Sequence, residues 1–444
     1  MKAAKDFTRG SILKHILALA LPTMASFMLH VAFNIIDTIF VGRIGADAIA
    51  AVSIVFPVII LMIALGSGMG VGSASLIARH LGAKNVKKAN RVIEHMVLIA
   101  IVLSAVFALT GFLFAEYLFS LIGATPNVLE LAMDYSRWIF GFGGFIFIFI
   151  AFGNVLRAEG DAKSPMIYMG ISVILNAILD PLLIFGIWIF PQLGVEGAAI
   201  ATVIGRGVGS ILLISHVLSG KSIVTVSLDK FKYSFRIIKD IFAIGVPASL
   251  SFMLMSVGMF ILTRIIANFG PEAIASYGIG WKVESLGFHF AMAIAIACLA
   301  LVGHNFGAGN VKRARKIVWI SSFLSLSIST AAGTLIFFTQ KFWLKIFTSN
   351  QLVLDYTFGY IQILAFTFGF VGLAIVIESA FQGFGKGMPK FILTVFRLGV
   401  LAIPLAIILS KVLGLVGVWY AIAISNVLNA IVAILWFKVS NFEK

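Results

Sequence analysis

The sequence predicts an all-α integral membrane protein with twelve transmembrane helices in two parallel six-helix repeats. Three observations predict this fold class. Of the 444 residues, 61% are hydrophobic and only 11% are charged, whereas soluble domains carry about 25% charged residues. Apolar runs recur along the whole chain at about the 20-residue length that a membrane-crossing helix needs. Basic residues alternate between abundant and scarce from one connection to the next.

The apolar runs give twelve predicted spans. They cover residues 14–40, 48–77, 92–115, 131–156, 166–190, 197–219, 240–268, 273–304, 317–340, 352–380, 391–410 and 415–437. Of the 33 Lys and Arg residues, 24 fall in the termini and in alternate connections, five fall in or near the opposite connections, and four fall deeper inside spans. Since cytoplasmic segments carry such an excess, we expect a multi-pass protein of the plasma or inner membrane with both termini in the cytoplasm.

The net charge of +15 has the same explanation. In a soluble protein it would suggest nucleic acid, but here the basic clusters flank predicted spans, so we expect no nucleic-acid partner. The single cysteine, Cys298, excludes an internal disulfide and a cysteine-rich metal site. The glycine-rich run at residues 66–72 lies inside a span without a preceding strand. It therefore indicates close helix packing rather than a phosphate-binding loop.

An internal repeat relates the two halves of the chain at a constant separation of 225 residues. Pro22 corresponds to Pro247, and the Ser-Phe-Met-Leu sequence at 26–29 recurs at 251–254. Six spans per half is an even number, so both halves enter the membrane in the same direction. Parallel repeats of this kind are found in secondary transporters. The sequence therefore indicates a transporter rather than an enzyme or a channel.

The repeat also predicts the domain organisation. We expect an N-terminal six-helix lobe at residues 1–219 and a C-terminal six-helix lobe at residues 240–444. The longest polar connector, residues 220–239, separates them as a cytoplasmic linker.

Polar groups are costly inside a bilayer, and this chain concentrates them in its first half. Asn34 and Asp37 lie one turn apart in span 1, and Asn176 and Asp180 lie one turn apart in span 5. The residue that corresponds to Asp37 in the second half is Leu262. The counterpart of span 5 in the second half contains no acid and no amide. A functional site is therefore expected in the N-terminal lobe.

Asn154 in span 4 and Thr202 in span 6 extend this set of oxygen atoms. Carboxylate, amide and hydroxyl oxygens suit a hard cation such as Na⁺. Neighbouring carboxylates held out of water also bind a proton readily. The alternative is that these groups only bond to one another and stabilise the lobe. We expect no cofactor, and no metal other than Na⁺.

Two further acids lie in the second half. Glu284 is close in sequence to Lys282, and Glu378 in span 10 precedes Arg397 in span 11. Since a buried charge is costly without a counter-charge, we predict that these residues form structural ion pairs. Away from their ends the spans contain four acids, namely Asp37, Asp180, Glu284 and Glu378, and four bases. This balance argues against an anionic cargo.

At this point the chain resembles the MATE transporters, the multidrug and toxic compound extrusion family, over nearly its whole length. The resemblance rests on the segments 34–42, 157–162, 175–181 and 381–387, together with Phe396 and Arg397. One bacterial branch of that family uses an acid in span 7, where this chain has Met255. The resemblance is therefore to the archaeal and DinF-like branch.

The resemblance implies a V-shaped pair of six-helix bundles that opens alternately to either side of the membrane. It implies export of organic cations and amphipathic drugs or metabolites in exchange for Na⁺ or H⁺, by a monomer surrounded by lipid. The coupling residues carried over are Asp37, Asp180, Asn176, Asn154 and Thr202. Tyr135 matches a family position near the same pocket, and Tyr135 and Asn34 are the candidate contacts in a substrate pocket. The alternative within the same superfamily is a flippase of lipid-linked or other amphipathic cargo.

Overall fold

The computed structural model describes residues 6–227 and 231–442, and within these ranges the regular structure is helical throughout. A backbone in lipid must satisfy its own hydrogen bonds, so apolar runs fold as helices. The α-helices are α1 (Ile12–Gly42), α2 (Ala46–Gly82), α3 (Val86–Leu121), α4 (Pro126–Gly141), α5 (Gly144–Glu159), α6 (Lys163–Phe185), α7 (Gly194–Leu218), α8 (Phe235–Ile266), α9 (Pro271–Gly307), α10 (Val311–Phe347), α11 (Gln351–Leu364), α12 (Phe368–Gly383), α13 (Met388–Val395), α14 (Ile403–Leu413) and α15 (Leu415–Val439).

The described residues contain eleven helical segments that are long and apolar enough to cross a membrane. The number becomes twelve when α4 and α5, which meet at a 47° bend, are counted as one span. The predicted all-helical class and the predicted number of spans are therefore confirmed. Individual ends differ, since α8 begins at Phe235 rather than at residue 240.

The two halves share local turns at the separation of the sequence repeat. At the N-terminus of α3, Asn85 accepts a hydrogen bond from the backbone N–H of Lys88 at 3.0 Å. At the corresponding N-terminus of α10, Asn310 accepts one from the backbone N–H of Arg313 at 3.1 Å. Such a cap satisfies one of the N–H groups that has no partner within the helix. The repeat in sequence is thus also a repeat in local structure.

The halves also interrupt their helices at corresponding places, with one difference. Residues 142–143 separate α4 from α5, and the 3-10 helix Ala365–Thr367 separates α11 from α12. The π-helix Phe396–Ala402 joins α13 to α14, whereas the corresponding part of α6 is a regular α-helix. The span that carries the predicted ion ligands therefore differs in local geometry from its counterpart in the second half.

The chain divides into two compact units. The N-terminal unit contains Asp6 and Leu21–Ser249. The C-terminal unit contains Phe7–Ala20 together with the described residues from Leu250 onward. Helices α1 and α8 therefore each pass from one unit into the other. They do so close to Pro22 and Pro247, which correspond to each other in the repeat.

The predicted linker, residues 220–239, belongs to the N-terminal unit as far as it is described; residues 228–230 lie outside the described residues. Asn90 of α3 holds it through two hydrogen bonds with Thr225. The Asn90 side chain donates to the Thr225 hydroxyl at 2.9 Å and accepts from the Thr225 backbone N–H at 3.0 Å. The connector is therefore attached to the helices of this unit rather than suspended freely from them.

Candidate cation site

Helices α1 and α6 of the N-terminal unit carry the two aspartates predicted to bind an ion. Asp180 and Asn176 have no exposed surface, and the Asn176 amide donates to Asp180 Oδ1 at 3.0 Å. Asp37 lies near the C-terminal end of α1, close enough to Asp180 for the two carboxylates to interact electrostatically. The structure therefore brings these three residues together from two helices that are far apart in sequence.

Helix α7 packs against α6 next to Asn176. Gly205 of α7 approaches α6 so closely that a Cβ added there would lie 3.5 Å from the Cβ of Asn176. Thr202 precedes Gly205 by nearly one turn on the same helix, and its Oγ1 is buried. The glycine thus lets the turn of α7 that carries Thr202 pack closely on α6.

The site has an excess of acceptor atoms. Four buried oxygens have no hydrogen-bond partner among the described residues: Asp37 Oδ1, Asp180 Oδ2, Asn176 Oδ1 and Thr202 Oγ1. Buried polar atoms in folded proteins are nearly always paired, and leaving one unpaired costs about 1–3 kcal/mol. A monovalent cation would satisfy several of these oxygens at once, whereas a proton would satisfy a pair of them. No three His, Cys, Asp or Glu side chains converge in the described part of the chain.

Tyr135 of α4 lies near both aspartates. The ring is buried, and its hydroxyl is close enough to Asp37 and Asp180 to interact with their charges. A phenol O–H can donate to a carboxylate. Tyr135 therefore adds a polar group from a third helix close to the two aspartates.

Two other predicted residues make different contacts. The Asn154 side chain packs against α2, where a Cβ added at Gly70 would lie 2.5 Å from its Nδ2. Asn34 is exposed, and its amide donates to the His30 backbone carbonyl at 2.9 Å within α1. Among the described residues, neither side chain is hydrogen-bonded to an aspartate of the site.

Arg206 of α7 was not predicted as a site residue. Its guanidinium lies 3.0 Å from Nδ1 of His30 and 4.5 Å from the centre of the Phe33 ring. These two contacts connect α7 to α1. Its Nη1 also donates to the sulfur of Met169 at 3.5 Å. The sequence does show that Arg206 lies inside a span, and an arginine there needs polar or aromatic partners. The sequence does not show which residues those partners are.

In the C-terminal unit, Glu284 does not pair with Lys282. Glu284 accepts a hydrogen bond from the Tyr360 hydroxyl at 2.6 Å, whereas Lys282 is exposed. The two residues are only two positions apart on α9, and residues at that spacing point to different faces of a helix. Glu284 is thus tied to an aromatic cluster that includes Tyr277 and Trp419.

Glu378 and Arg397 share a cavity but do not form the predicted ion pair. Arg397 donates to Asn426 Oδ1 at 3.4 Å, and Glu378 accepts from Asn429 at 3.5 Å. Both distances are long for hydrogen bonds. The same cavity is lined by Lys390. By the predicted spans Lys390 lies in the connection between spans 10 and 11, where a lysine is expected to be solvated, but it is buried in α13.

Comparisons with known proteins agree with this architecture. The MatE family model matches residues 22–182 and again residues 247–408, so its two matches begin at the repeat separation found in the sequence. The chain is 29% identical to the FAD transporter of Shewanella oneidensis over 441 residues, covering 97% of this chain and 95% of that protein. It is 28% identical over 432 residues to the multidrug export protein MepA of Staphylococcus aureus, covering 97% and 94%. Among solved structures, the outward-facing conformation of a multidrug resistance MATE family transporter of the MOP superfamily is similar with a TM-score of 0.93 and 30% identity, covering 99% of this chain and 98% of that one.

Proposed function

This chain belongs to the MatE family of membrane transporters, and on that basis we propose that it is a secondary active antiporter that exports organic cations and amphipathic compounds in exchange for Na⁺ or H⁺. The protein is a multi-pass transporter of small molecules and not an enzyme. We propose the coupling ion, the substrate class and the transport cycle.

The observation that carries the proposal is the group of four unpaired oxygens in the N-terminal unit. Two carboxylates left bare inside a bilayer are costly. An ion that binds between Asp37 and Asp180 offsets that cost, so its occupancy is linked to the conformation that buries it. Substrate that enters from the cytoplasm competes with this occupied state, and the ion gradient drives the exchange. Each elementary charge that moves down 100 mV contributes about 2.3 kcal/mol.

Helix α1 offers a mechanical route from the ion to the rest of the protein. Asp37 lies on the part of α1 that belongs to the N-terminal unit, whereas Phe7–Ala20 belongs to the other unit. Pro22 lies next to the change of unit. A proline inside a helix removes one backbone hydrogen bond and allows the helix to bend. Ion binding at Asp37 can therefore alter the bend of a helix that both units share.

The relatives support a broad substrate class. One is named for multidrug export and another for FAD, a molecule that combines flat rings with polar groups. We propose that the chain works as a monomer in the plasma membrane with both termini in the cytoplasm, as the distribution of its basic residues indicates.

Flux in proteoliposomes tests the proposal. With ethidium as the probe, we expect wild-type protein to exchange it against an imposed Na⁺ or H⁺ gradient. Asp37→Asn and Asp180→Asn should each lower gradient-driven exchange by about tenfold or more, because each removes a charged ligand worth more than about 1.4 kcal/mol.

Asp47→Asn is the matched control, since Asp47 is exposed in the first turn of α2. It should exchange ethidium like the wild type. Gradient-driven exchange at the wild-type rate by Asp37→Asn would refute the coupling site. Ethidium flux with no response to either gradient would refute antiport.

A further inference from the structure

The N-terminal unit carries a basic surface, at the end where α2 meets α3, that the proposed ion site does not use. In sequence, residues 79–91 contain five bases and no acid, and the connector at residues 220–239 contains five bases and one acid. That acid, Asp229, lies outside the described residues. A group of bases with so few acids attracts anions. Six exposed side chains form this basic surface: Lys84, Lys87, Lys88, Arg91, Lys232 and Arg236.

Two hydrogen bonds hold the connector against α3 and bring the two groups of bases together. The Arg91 guanidinium donates to the Lys232 carbonyl at 3.4 Å. His95 of α3, which has no exposed surface, accepts from the Ser234 backbone N–H through Nε2 at 2.8 Å. The Phe231 ring packs on the His95 ring, with 5.1 Å between the ring centres. The bases of the α2–α3 turn and those of the connector therefore belong to one surface.

The lysines of this surface have no partner within the described protein. The ammonium groups of Lys84, Lys87 and Lys88 form no hydrogen bond and no ion pair with a described residue. The exposed acid near them is Asp240 of α8, and its charge acts on Arg79. Each ammonium has three donors, so the three lysines remain available to a ligand.

The corresponding cluster in the second half uses its bases differently. Arg313, which corresponds to Lys88 in the repeat, donates to the backbone carbonyls of Arg9 and Gly10 at 3.1 and 2.8 Å. Arg315 donates to three backbone carbonyls at the C-terminal end of α15 and just beyond it. These arginines fasten the two chain ends. The topology rule explains a basic cluster in both halves, but it does not explain why the lysines of the first half are left without partners.

Exposed aromatic side chains accompany the bases of the connector. Tyr233 and Phe235 are 62% and 68% exposed, and Phe235 is the first residue of α8, which is long and apolar enough to cross a membrane. Aromatic rings at the end of a span lie at the level of the lipid headgroups, and clusters of bases next to a span attract anionic lipids. We propose that the basic surface binds the headgroups of anionic phospholipids, with Tyr233 and Phe235 in the interfacial layer. This binding does not depend on the transport function proposed above.

Native mass spectrometry of the full-length protein in detergent tests this inference. The probes are dioleoyl phosphatidylglycerol and dioleoyl phosphatidylcholine, which share their acyl chains and differ in headgroup charge. We expect the anionic lipid to bind at least about fivefold more tightly than the zwitterionic one. The combined variant Lys84→Gln, Lys87→Gln and Lys88→Gln removes three charges. It should weaken phosphatidylglycerol binding by about tenfold or more and leave phosphatidylcholine binding unchanged.

The matched control also removes three exposed lysines, but at the opposite end of the spans. It combines Lys341→Gln, Lys345→Gln and Lys411→Gln, which the basic-residue pattern puts on the other side of the membrane. This variant should bind phosphatidylglycerol like the wild type. Lys232→Gln combined with Arg236→Gln tests the connector side of the basic surface and should weaken phosphatidylglycerol binding by about fivefold. Equal affinity of the wild type for the two lipids, or an equal loss in the lysine triple variant and its control, would overturn the proposal.

Competition shows whether the ligand is a lipid or a soluble anion. Raising ammonium acetate should reduce the preference for phosphatidylglycerol, because salt screens exposed charges. Inorganic phosphate at the same ionic strength should have no larger effect than ammonium acetate. Displacement of phosphatidylglycerol by phosphate alone would assign the surface to a soluble anion and overturn the lipid assignment. Asp37→Asn leaves the basic surface intact and should bind phosphatidylglycerol like the wild type, so failure of the ion-coupling proposal would not affect this test.

Discussion

Glu159, the last residue of α5, is the acceptor that attaches the connector between the two halves of the chain. Its Oε2 accepts three hydrogen bonds, from the Ser222 hydroxyl at 2.7 Å and from the backbone N–H groups of Ile223 and Val224 at 3.0 and 3.2 Å. The carboxylate is buried. Hydrogen bonds to a charged acceptor contribute more than neutral ones, so this one side chain accounts for much of the attachment.

We expect Glu159→Gln to destabilise the N-terminal unit by about 1.5–3 kcal/mol, because a neutral amide replaces a charged acceptor of three bonds. A lower thermal midpoint in detergent and faster proteolysis of the segment around Ile223 would measure the effect. Glu116→Gln changes an exposed glutamate of α3 and should shift stability by no more than about 0.5 kcal/mol. Equal midpoints for the two variants would contradict the assigned role.

Single residues show which parts of the sites could be predicted. Asp37 and Asp180 stand out in sequence because a carboxylate inside an apolar span is costly and the second half lacks it. Lys390 did not stand out, since it is the last residue of a predicted connection and a lysine there is normally a topology signal. Whether a lysine at a helix start is buried or solvated depends on neighbours from other helices, which the local sequence does not contain.

At the scale of elements, the packing of α2 depends on its glycines. A Cβ added at Gly68 would overlap the Ser249 hydroxyl and the Gly245 carbonyl of α8, and one added at Gly72 would overlap the Ile241 carbonyl. The Ser249 hydroxyl also donates to the Ala64 carbonyl at 3.0 Å across this contact. The prediction that the run at residues 66–72 serves close helix packing is thus confirmed.

We expect Gly72→Ala to lower the thermal midpoint, because the new methyl group meets backbone atoms of α8 that cannot move without shifting the helix. The cost should be about 1–3 kcal/mol, typical of overpacking. Gly278→Ala in α9 is the matched control, since nothing lies within 4 Å of its added Cβ. That substitution should be neutral or stabilising by up to about 1 kcal/mol. A midpoint for Gly72→Ala equal to that of Gly278→Ala would refute the close contact.

The number and order of the elements could be predicted, but their interruptions could not. The bend between α4 and α5 and the π-helix at Phe396–Ala402 both lie inside continuous apolar runs. Hydropathy reports transfer between water and lipid, and it does not change when a helix gains one residue per turn. The π-helix is nevertheless the element that carries Arg397 on the wall of the C-terminal cavity.

At the scale of the whole molecule, the repeat places a proline at each passage between units. Pro22 in α1 and Pro247 in α8 correspond in the repeat, and each lies close to the residue at which its helix changes unit. Both family matches also begin at these two prolines. The two helices are thus suited to carry bending from one unit to the other.

The orientation of the chain is a prediction that labelling can check. The single native cysteine, Cys298, is buried, so new cysteines can be labelled with little background. In spheroplasts, a membrane-impermeant maleimide should label Lys411→Cys directly, whereas Lys316→Cys should react only after permeabilisation. Both lysines are exposed, and the basic-residue pattern puts them on opposite sides. Labelling of Lys316→Cys in intact spheroplasts would reverse the topology.

The amino-acid sequence by itself determined the twelve spans, the parallel repeat and the half of the chain that holds the unpaired carboxylates. These properties follow from how each segment partitions between water and lipid, which is local and can be read residue by residue. Only the tertiary structure decided that Glu284 bonds to Tyr360, that Arg206 meets His30, and that Lys390 and Arg397 face one cavity. Such contacts depend on how helices distant in sequence rotate and pack against one another, and that arrangement is a property of the assembled fold.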